Sequence, residues 1–234
     1  VEINYNNIHV IGFDADDTLW VNETYFRDAE VAFGKLLSPY ETLNKIDQEL
    51  FKAHMRNLPL YGYGIKGFVL SMVETAIELS NNNVSAKTIH AILDIGKDML
   101  EKPIELLDGV ENVLKELSKK YKLILATKGD LLDQERKLEK SGLLDYFHHI
   151  EVLSDKKEAN YSRLLNHLEI KPSQFLMIGN SLKSDILPLV NLKAHAIHVP
   201  FHTTWIHEQV AENETNGKAY KTVKSLNELL ELLE

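Results

Sequence analysis

Four short stretches of this sequence gather residues able to handle an anionic group. Asp14-Ala15-Asp16-Asp17-Thr18 sets two carboxylates two positions apart. Thr127-Lys128-Gly129-Asp130, Ser154-Asp155-Lys156-Lys157 and Gly179-Asn180-Ser181 with Asp185 add hydroxyls, ammonium groups and further carboxylates. Clustered carboxylates repel unless a cation or a proton compensates them. A cluster whose donors are all oxygen points to Mg²⁺ rather than to zinc. Lysines and a threonine beside such an ion suit a phosphate: the ammonium neutralises it, while hydroxyls and backbone N–H groups hold its oxygens. Two Asp residues two apart can divide the labour. One binds metal and attacks, and the other gives and takes a proton.

Each stretch follows a short apolar run. His9-Val10-Ile11-Gly12-Phe13 ends at Asp14, and Lys122-Leu123-Ile124-Leu125-Ala126 ends at Thr127. Ile150-Glu151-Val152-Leu153, Phe175-Leu176-Met177-Ile178 and Ala196-Ile197-His198-Val199 complete the set. Near-continuous apolar runs of this length predict strands buried on both faces. Helical patterns separate the later runs: Val110, Val113, Leu114 and Leu117, then residues 130–142 and 158–168. Ser225 and Glu228 have the spacing of a capping box before Leu226, Leu229, Leu230 and Leu233. Strand–helix alternation predicts an α/β fold, a parallel Rossmann-like three-layer sheet with right-handed crossovers. In such sheets ligands bind beyond the carboxyl ends of the strands, where all four polar stretches fall.

One gap interrupts the alternation. Residues 21–106 carry helical stripes and no convincing strand, such as Phe68, Met72 and Ala76, or Ile89, Ile92, Leu93 and Met99. That span is too long for a loop. It predicts a helical domain inserted into a core made of 1–20 and 107–234. Tyr61-Gly62-Tyr63-Gly64 reads as a bend between its helices.

The chain has 234 residues, no cysteine, 26 Lys+Arg and 35 Asp+Glu, a formal charge of −9. Absent cysteine excludes disulfides, Cys-ligated zinc, iron–sulfur clusters and a thiol nucleophile. The acidic balance, with no basic stripe, argues against a nucleic-acid partner. No run of about 18 apolar residues predicts a membrane span. The opening VEINYNNIHV lacks a signal-peptide pattern. The expectation is a cytoplasmic protein, monomer or homodimer.

Taken together, the four stretches resemble the motifs of the haloacid dehalogenase (HAD) superfamily. Asp14-Ala15-Asp16-Asp17-Thr18 is similar to its first motif, DxDxT. Thr127, a lysine near 156, and Gly179-Asn180-Ser181 with Asp185 are similar to the second, third and fourth, in the same order. The resemblance covers essentially the whole chain, and the helical insertion resembles the family's C1-type cap. It implies that Asp14 is the nucleophile and that Asp16 is first the general acid and then the general base. It implies that Thr127 binds the phosphate and that Lys156 stabilises nucleophile and phosphate. Lys128, next to Thr127, is a further candidate phosphate contact that the resemblance itself does not supply. Mg²⁺ would be held by Asp14, Asp185 and the backbone carbonyl of Asp16, with Asn180 in the metal's surroundings.

This sequence departs from the family pattern at two positions. Lys128 stands where Asn is common, either adding charge for a more anionic substrate or pointing to solvent. Asn180 stands where an acid is common. Lys156 is preferred to Lys157 from its spacing to Tyr161.

The implied function is a Mg²⁺-dependent phosphatase acting on a small phosphorylated metabolite through an aspartyl-phosphate. The rivals are a phosphomutase or phosphotransferase of the same fold, and a non-catalytic phosphometabolite-binding protein. Asp16 separates the phosphatase from dehalogenases of the family, which lack an Asp there. Elsewhere, His195, His198, His202 and His207 fit no tight zinc spacing, and His198 reads as a core histidine. His202, Thr203, Thr204 and Trp205 either line a substrate entrance or anchor a loop. Tyr61, Tyr63, Lys66 and Phe68 either contact substrate or pack the insertion.

Overall fold

The computed structural model describes residues 5–233. Six parallel strands form one sheet: β1 (Val10–Phe13), β2 (Lys122–Lys128), β3 (His149–Leu153), β4 (Phe175–Gly179), β5 (His195–His198) and β6 (Lys221–Thr222). Their order is β3-β2-β1-β4-β5-β6. β1 therefore lies centrally, with Val10 opposite both Lys122 and Phe175. The five anticipated strands are present. β6 was not anticipated, because Lys-Thr offers no apolar run, and both residues are exposed at the sheet edge.

Side chains alternate between the two faces of the sheet, as the two-residue period of a strand requires. Ile11, Phe13, Leu123, Leu125, Leu176 and Ile178 pack on one face. There they meet α5 (Val110–Leu117) and α10 (Glu228–Leu232). Val10, Ile124, Ala126, Phe175 and Met177 pack on the other face. There they meet α7 (Glu158–His167) and α8 (Leu187–Asn191). Gly12 leaves room for β4, since a Cβ there would lie 2.5 Å from the tip of the Phe175 ring and one of the two would have to shift. The anticipated capping box at Ser225 does not form. α10 begins at Glu228 with no side-chain cap, and the Glu228 N–H donates to the Ser225 carbonyl at 3.3 Å. The backbone closes that turn in place of the hydroxyl. Leu226, Leu229 and Leu233 are nevertheless buried.

The chain divides into two compact units. One comprises Val1–Glu23, Ile104–Lys128 and Glu135–Glu234, and the other Thr24–Pro103 and Gly129–Gln134. The second unit is helical, built from α1 (Glu23–Leu37), α2 (Leu43–Tyr61), α3 (Ile65–Leu79) and α4 (Ala86–Glu101). Its core holds Phe33, Leu37, Ile46, Leu50, Phe68, Met72, Ala76 and Ile92. α2 ends at Tyr61 and α3 begins at Ile65. Gly62 (φ 74°) and Gly64 (φ 112°) supply the left-handed backbone of the bend between them. α6 (Leu131–Ser141) follows β2, and its Leu138 joins the first face of the sheet core.

Candidate active site

The strand order reverses between β1 and β4, so the chain ends of these two strands flank a crevice of the kind that binds ligands. Asp14 is the first residue after β1, and its N–H donates to the Ile178 carbonyl of β4 at 2.9 Å. Asp185 lies in a wide helical turn, Leu182–Ile186, just beyond β4. Its own N–H donates to the Ser181 carbonyl at 2.8 Å, and its Oδ2 accepts the Ser181 N–H at 2.9 Å. Gly179 permits this approach: a Cβ there would lie 2.4 Å from the Asp185 carboxyl carbon. Lys156 enters from the turn between β3 and α7. Its Nζ donates to Asp14 Oδ1 and, at 2.7 Å, to Asp185 Oδ1. Its side chain is 1% exposed. Lys157 points away, 73% exposed, and pairs with Asp155.

Thr18 completes the centre. Its hydroxyl donates to Asp14 Oδ2 at 3.0 Å and accepts the Asn180 N–H at 3.1 Å, with Asn180 Oδ1 3.3 Å away. It is therefore a buried strut between motifs one and four, not merely a helix cap. Burial and the Asp185 charge push the Asp14 carboxyl up to about 7, against the downward pull of Lys156. Burial would lower the Lys156 ammonium, but Asp14 and Asp185 hold it well above its ordinary range. Thr127, at the end of β2, is buried and donates to the Lys128 carbonyl at 3.2 Å.

Asp16 points elsewhere. Its Oδ1 accepts the Trp20 indole N–H at 2.8 Å and the Lys137 ammonium at 2.9 Å. Asp17 adopts φ 62°, which Asp tolerates better than most residues. Its buried carboxylate accepts the N–H groups of Asn22 and Glu23. Burial raises that carboxyl to about 7 even so.

Comparisons with known proteins agree with this geometry. A sequence model of the haloacid dehalogenase-like hydrolases matches residues 8–192. The chain belongs to that family. A HAD-like hydrolase of Xanthomonas campestris superposes with a TM-score of 0.84 at 37% identity, covering 97% of this chain and 96% of the other. A HAD hydrolase of Bacillus subtilis, itself bound to magnesium, superposes at 0.64 and 18% identity over 97% and 99%, a likeness of fold alone. Human N-acylneuraminate-9-phosphatase is 27% identical over 135 residues, 55% of this chain and 52% of its own length. The mouse protein is 30% identical over 108 residues, 44% and 41% respectively. The chain spans about half the length of the curated relatives it matches.

The donor set of this HAD hydrolase fits a hard divalent cation. Two buried carboxylates share one ammonium, which leaves an excess negative charge; burial first and the Asp185 charge second raise the Asp14 carboxyl. Among the described residues no three His, Asp or Glu side chains converge into a cage. An ion here would keep water or substrate oxygens, as Mg²⁺ habitually does. Asp16 Oδ1 already accepts the Trp20 indole and the Lys137 ammonium, which agrees with the expectation that Asp16 would offer an ion its backbone carbonyl.

Lys128 is not a solvated side chain. Its Nζ lies 2.7 Å from Glu208 Oε1 and 2.8 Å from Ser184 Oγ, and the side chain is 13% exposed. Glu208 also accepts the hydroxyl protons of Ser181 and Ser184. Burial would raise the Glu208 carboxyl, but Lys128 and the serines bring it down to about 2. A depressed carboxyl adds stability above its unfolded value near 4.5, and that stability is lost as pH falls toward 2. Glu208→Gln should therefore cost about 1–3 kcal/mol at pH 7, by leaving a nearly buried ammonium unmatched. The cost should shrink below pH 4.5, as measured by urea denaturation at several pH values. A constant difference across that range would mean that the charge contributes nothing.

Glu208, Lys137 and Trp20 escaped the sequence reading because none belongs to a strand-end motif. Trp20 alone had a local signal, four residues beyond Asp16. The structure gives His198 a partner, with its Nε2 3.0 Å from the Asn180 carbonyl. Lys183 is also engaged, donating to the His207 carbonyl at 2.6 Å. In the helical unit Phe68 is 1% exposed and packs against Phe26 and His54, so it belongs to that unit's core. Tyr61 is exposed, and Lys66 pairs with Asp130 at 2.8 Å within the same unit.

Proposed function

We propose that this HAD hydrolase is a Mg²⁺-dependent phosphatase that hydrolyses a small phosphomonoester through an aspartyl-phosphate on Asp14. The observation that carries the reading is one buried ammonium, Lys156, bonded to both Asp14 and Asp185, with a second acid, Asp16, two residues beyond the nucleophile. Thr18 and Lys156 fix the two oxygens of Asp14, which orients the carboxylate for in-line attack. Lys156 then meets the charge of the incoming phosphoryl group, and the Thr127 hydroxyl binds one of its oxygens. Asp16 protonates the departing alcohol and afterwards takes a proton from the attacking water. Asp14, Asp185 and the Asp16 carbonyl would hold Mg²⁺, which when bound supplies further charge stabilisation to the phosphoryl oxygens.

The test is hydrolysis of p-nitrophenyl phosphate and a panel of sugar phosphates, phospho-acids and nucleotides, with and without Mg²⁺. The partial likeness to N-acylneuraminate-9-phosphatases puts N-acylneuraminate 9-phosphate on that panel. Phosphate release that requires Mg²⁺ is expected. Folded protein inert toward every phosphoester would overturn the proposal.

A further inference from the structure

We propose that Lys137, together with Trp20, is the positioning residue of the general acid–base: the two donors hold Asp16 Oδ1 so that proton transfer falls to Oδ2. The inference deepens the phosphatase reading and rests on it. Lys137 lies in α6, far in sequence from Asp16, yet its Nζ is 2.9 Å from Asp16 Oδ1 and 2.8 Å from Asn22 Oδ1. Trp20 Nε1 reaches the same oxygen at 2.8 Å from a fully buried indole. Both donors are themselves anchored. The Trp20 carbonyl accepts the Asp17 N–H at 2.7 Å, and Asn22 is tied through its own N–H to Asp17 Oδ1 at 2.8 Å.

A carboxylate oxygen offers two lone-pair directions, and two N–H donors fill them. A proton on Asp16 therefore sits on Oδ2. In the first step a bond forms between an Asp14 oxygen and phosphorus, the bond from phosphorus to the leaving oxygen breaks, and the Oδ2 proton passes to that oxygen. Asp16 is then an anion, and the adjacent Lys137 ammonium balances it. In the second step water attacks phosphorus, its proton passes to Oδ2, and the bond between Asp14 and phosphorus breaks. Lys137 touches neither substrate nor phosphorus in this scheme. It acts only through the aim and charge of Asp16.

The leaving group separates the two roles. Aryl phosphates with an acidic phenol scarcely need a general acid, whereas alkyl phosphates depend on one for about 10²–10⁴ in rate. The parameter kcat/KM reports only steps up to formation of the phosphoenzyme. Lys137→Met is expected to lower kcat/KM for an alkyl phosphate at least tenfold more than for p-nitrophenyl phosphate, with Lys137→Arg recovering part of the difference. Lys137→Ala, which also removes both donor and charge, gives the same comparison should Lys137→Met fail to fold. Equal losses on both substrates, or no loss on either, with an active wild type would overturn this inference alone. A wild type inert toward both substrates would overturn the phosphatase reading and this inference with it.

Discussion

The Asp14→Asn protein is expected to lose turnover by a factor on the order of 10⁴ or more while melting higher than the wild type in metal-free buffer at pH 8. The first effect follows from removing the carboxylate proposed as the nucleophile. The second follows from the charge balance around it. Burial and the Asp185 charge raise the Asp14 carboxyl to about 7, far above its unfolded value of 3.8. A carboxyl raised in this way binds a proton in the folded state that the unfolded chain has already released. It therefore makes the fold less stable as pH rises from about 4 to about 7, and the whole penalty is present above 7. Asparagine carries no charge, so the variant's advantage should be greatest at pH 8 and vanish near pH 4. Melting curves at several pH values, run beside phosphate-release assays, check both effects. Turnover at the wild-type rate would remove Asp14 from the nucleophile's role, and a variant less stable at pH 8 would contradict the charge argument.

Lys156→Met should act in the opposite direction on stability. Its ammonium is the cation shared by two buried carboxylates, and removing one partner of a buried pair leaves uncompensated charge. The expected loss is about 3–5 kcal/mol at pH 8, enough to consume much of a typical domain's stability. Acidification should restore part of it, because protonating Asp14 removes one of the two stranded charges. Turnover should also collapse, since the phosphoryl group would lose its buried cation. A folded Lys156→Met protein with wild-type stability at pH 8 would show that the ammonium is not what holds these carboxylates together. The paired signs, one charge removal stabilising and its neighbour destabilising, set this arrangement apart from a generally fragile site.

The strand-end residues were legible in the sequence because the chemistry and the sheet share one grammar. An apolar run of four or five residues followed by Asp, Thr or Gly-Asn-Ser announces both a buried strand and the polar edge it feeds. Asp14, Thr127, Lys156 and Asp185 were read that way, and Lys156 and Asp185 do meet Asp14 at hydrogen-bond range. Contacts between segments with no such signature were not legible. Lys137 occupies an ordinary helical position, and only the folded chain brings it to Asp16. Glu208 sits in a loop after β5, where nothing local marks it as the partner of Lys128. Phe68 was ambiguous for a different reason: an aromatic residue beside glycines suits a binding loop as well as a helix core, and the Phe26 and His54 rings decide for the core. The two-residue β6 carries no periodicity to read, and the Ser225 capping pattern lost to a backbone-closed turn.

The placement of β1 has a bearing on how the protein is made. Val10 pairs with Lys122 on one side and with Phe175 on the other. At about 5–20 residues per second, the ribosome delivers the second partner some ten to thirty seconds after the first strand has left it. Through that interval the Asp14 segment has no β4 to dock against and Asp185 does not yet exist, so the acidic centre can assemble only after most of the chain has emerged. The helical unit is drawn mostly from one continuous stretch, Thr24–Pro103, and its contacts are close in sequence, so it is free to fold meanwhile.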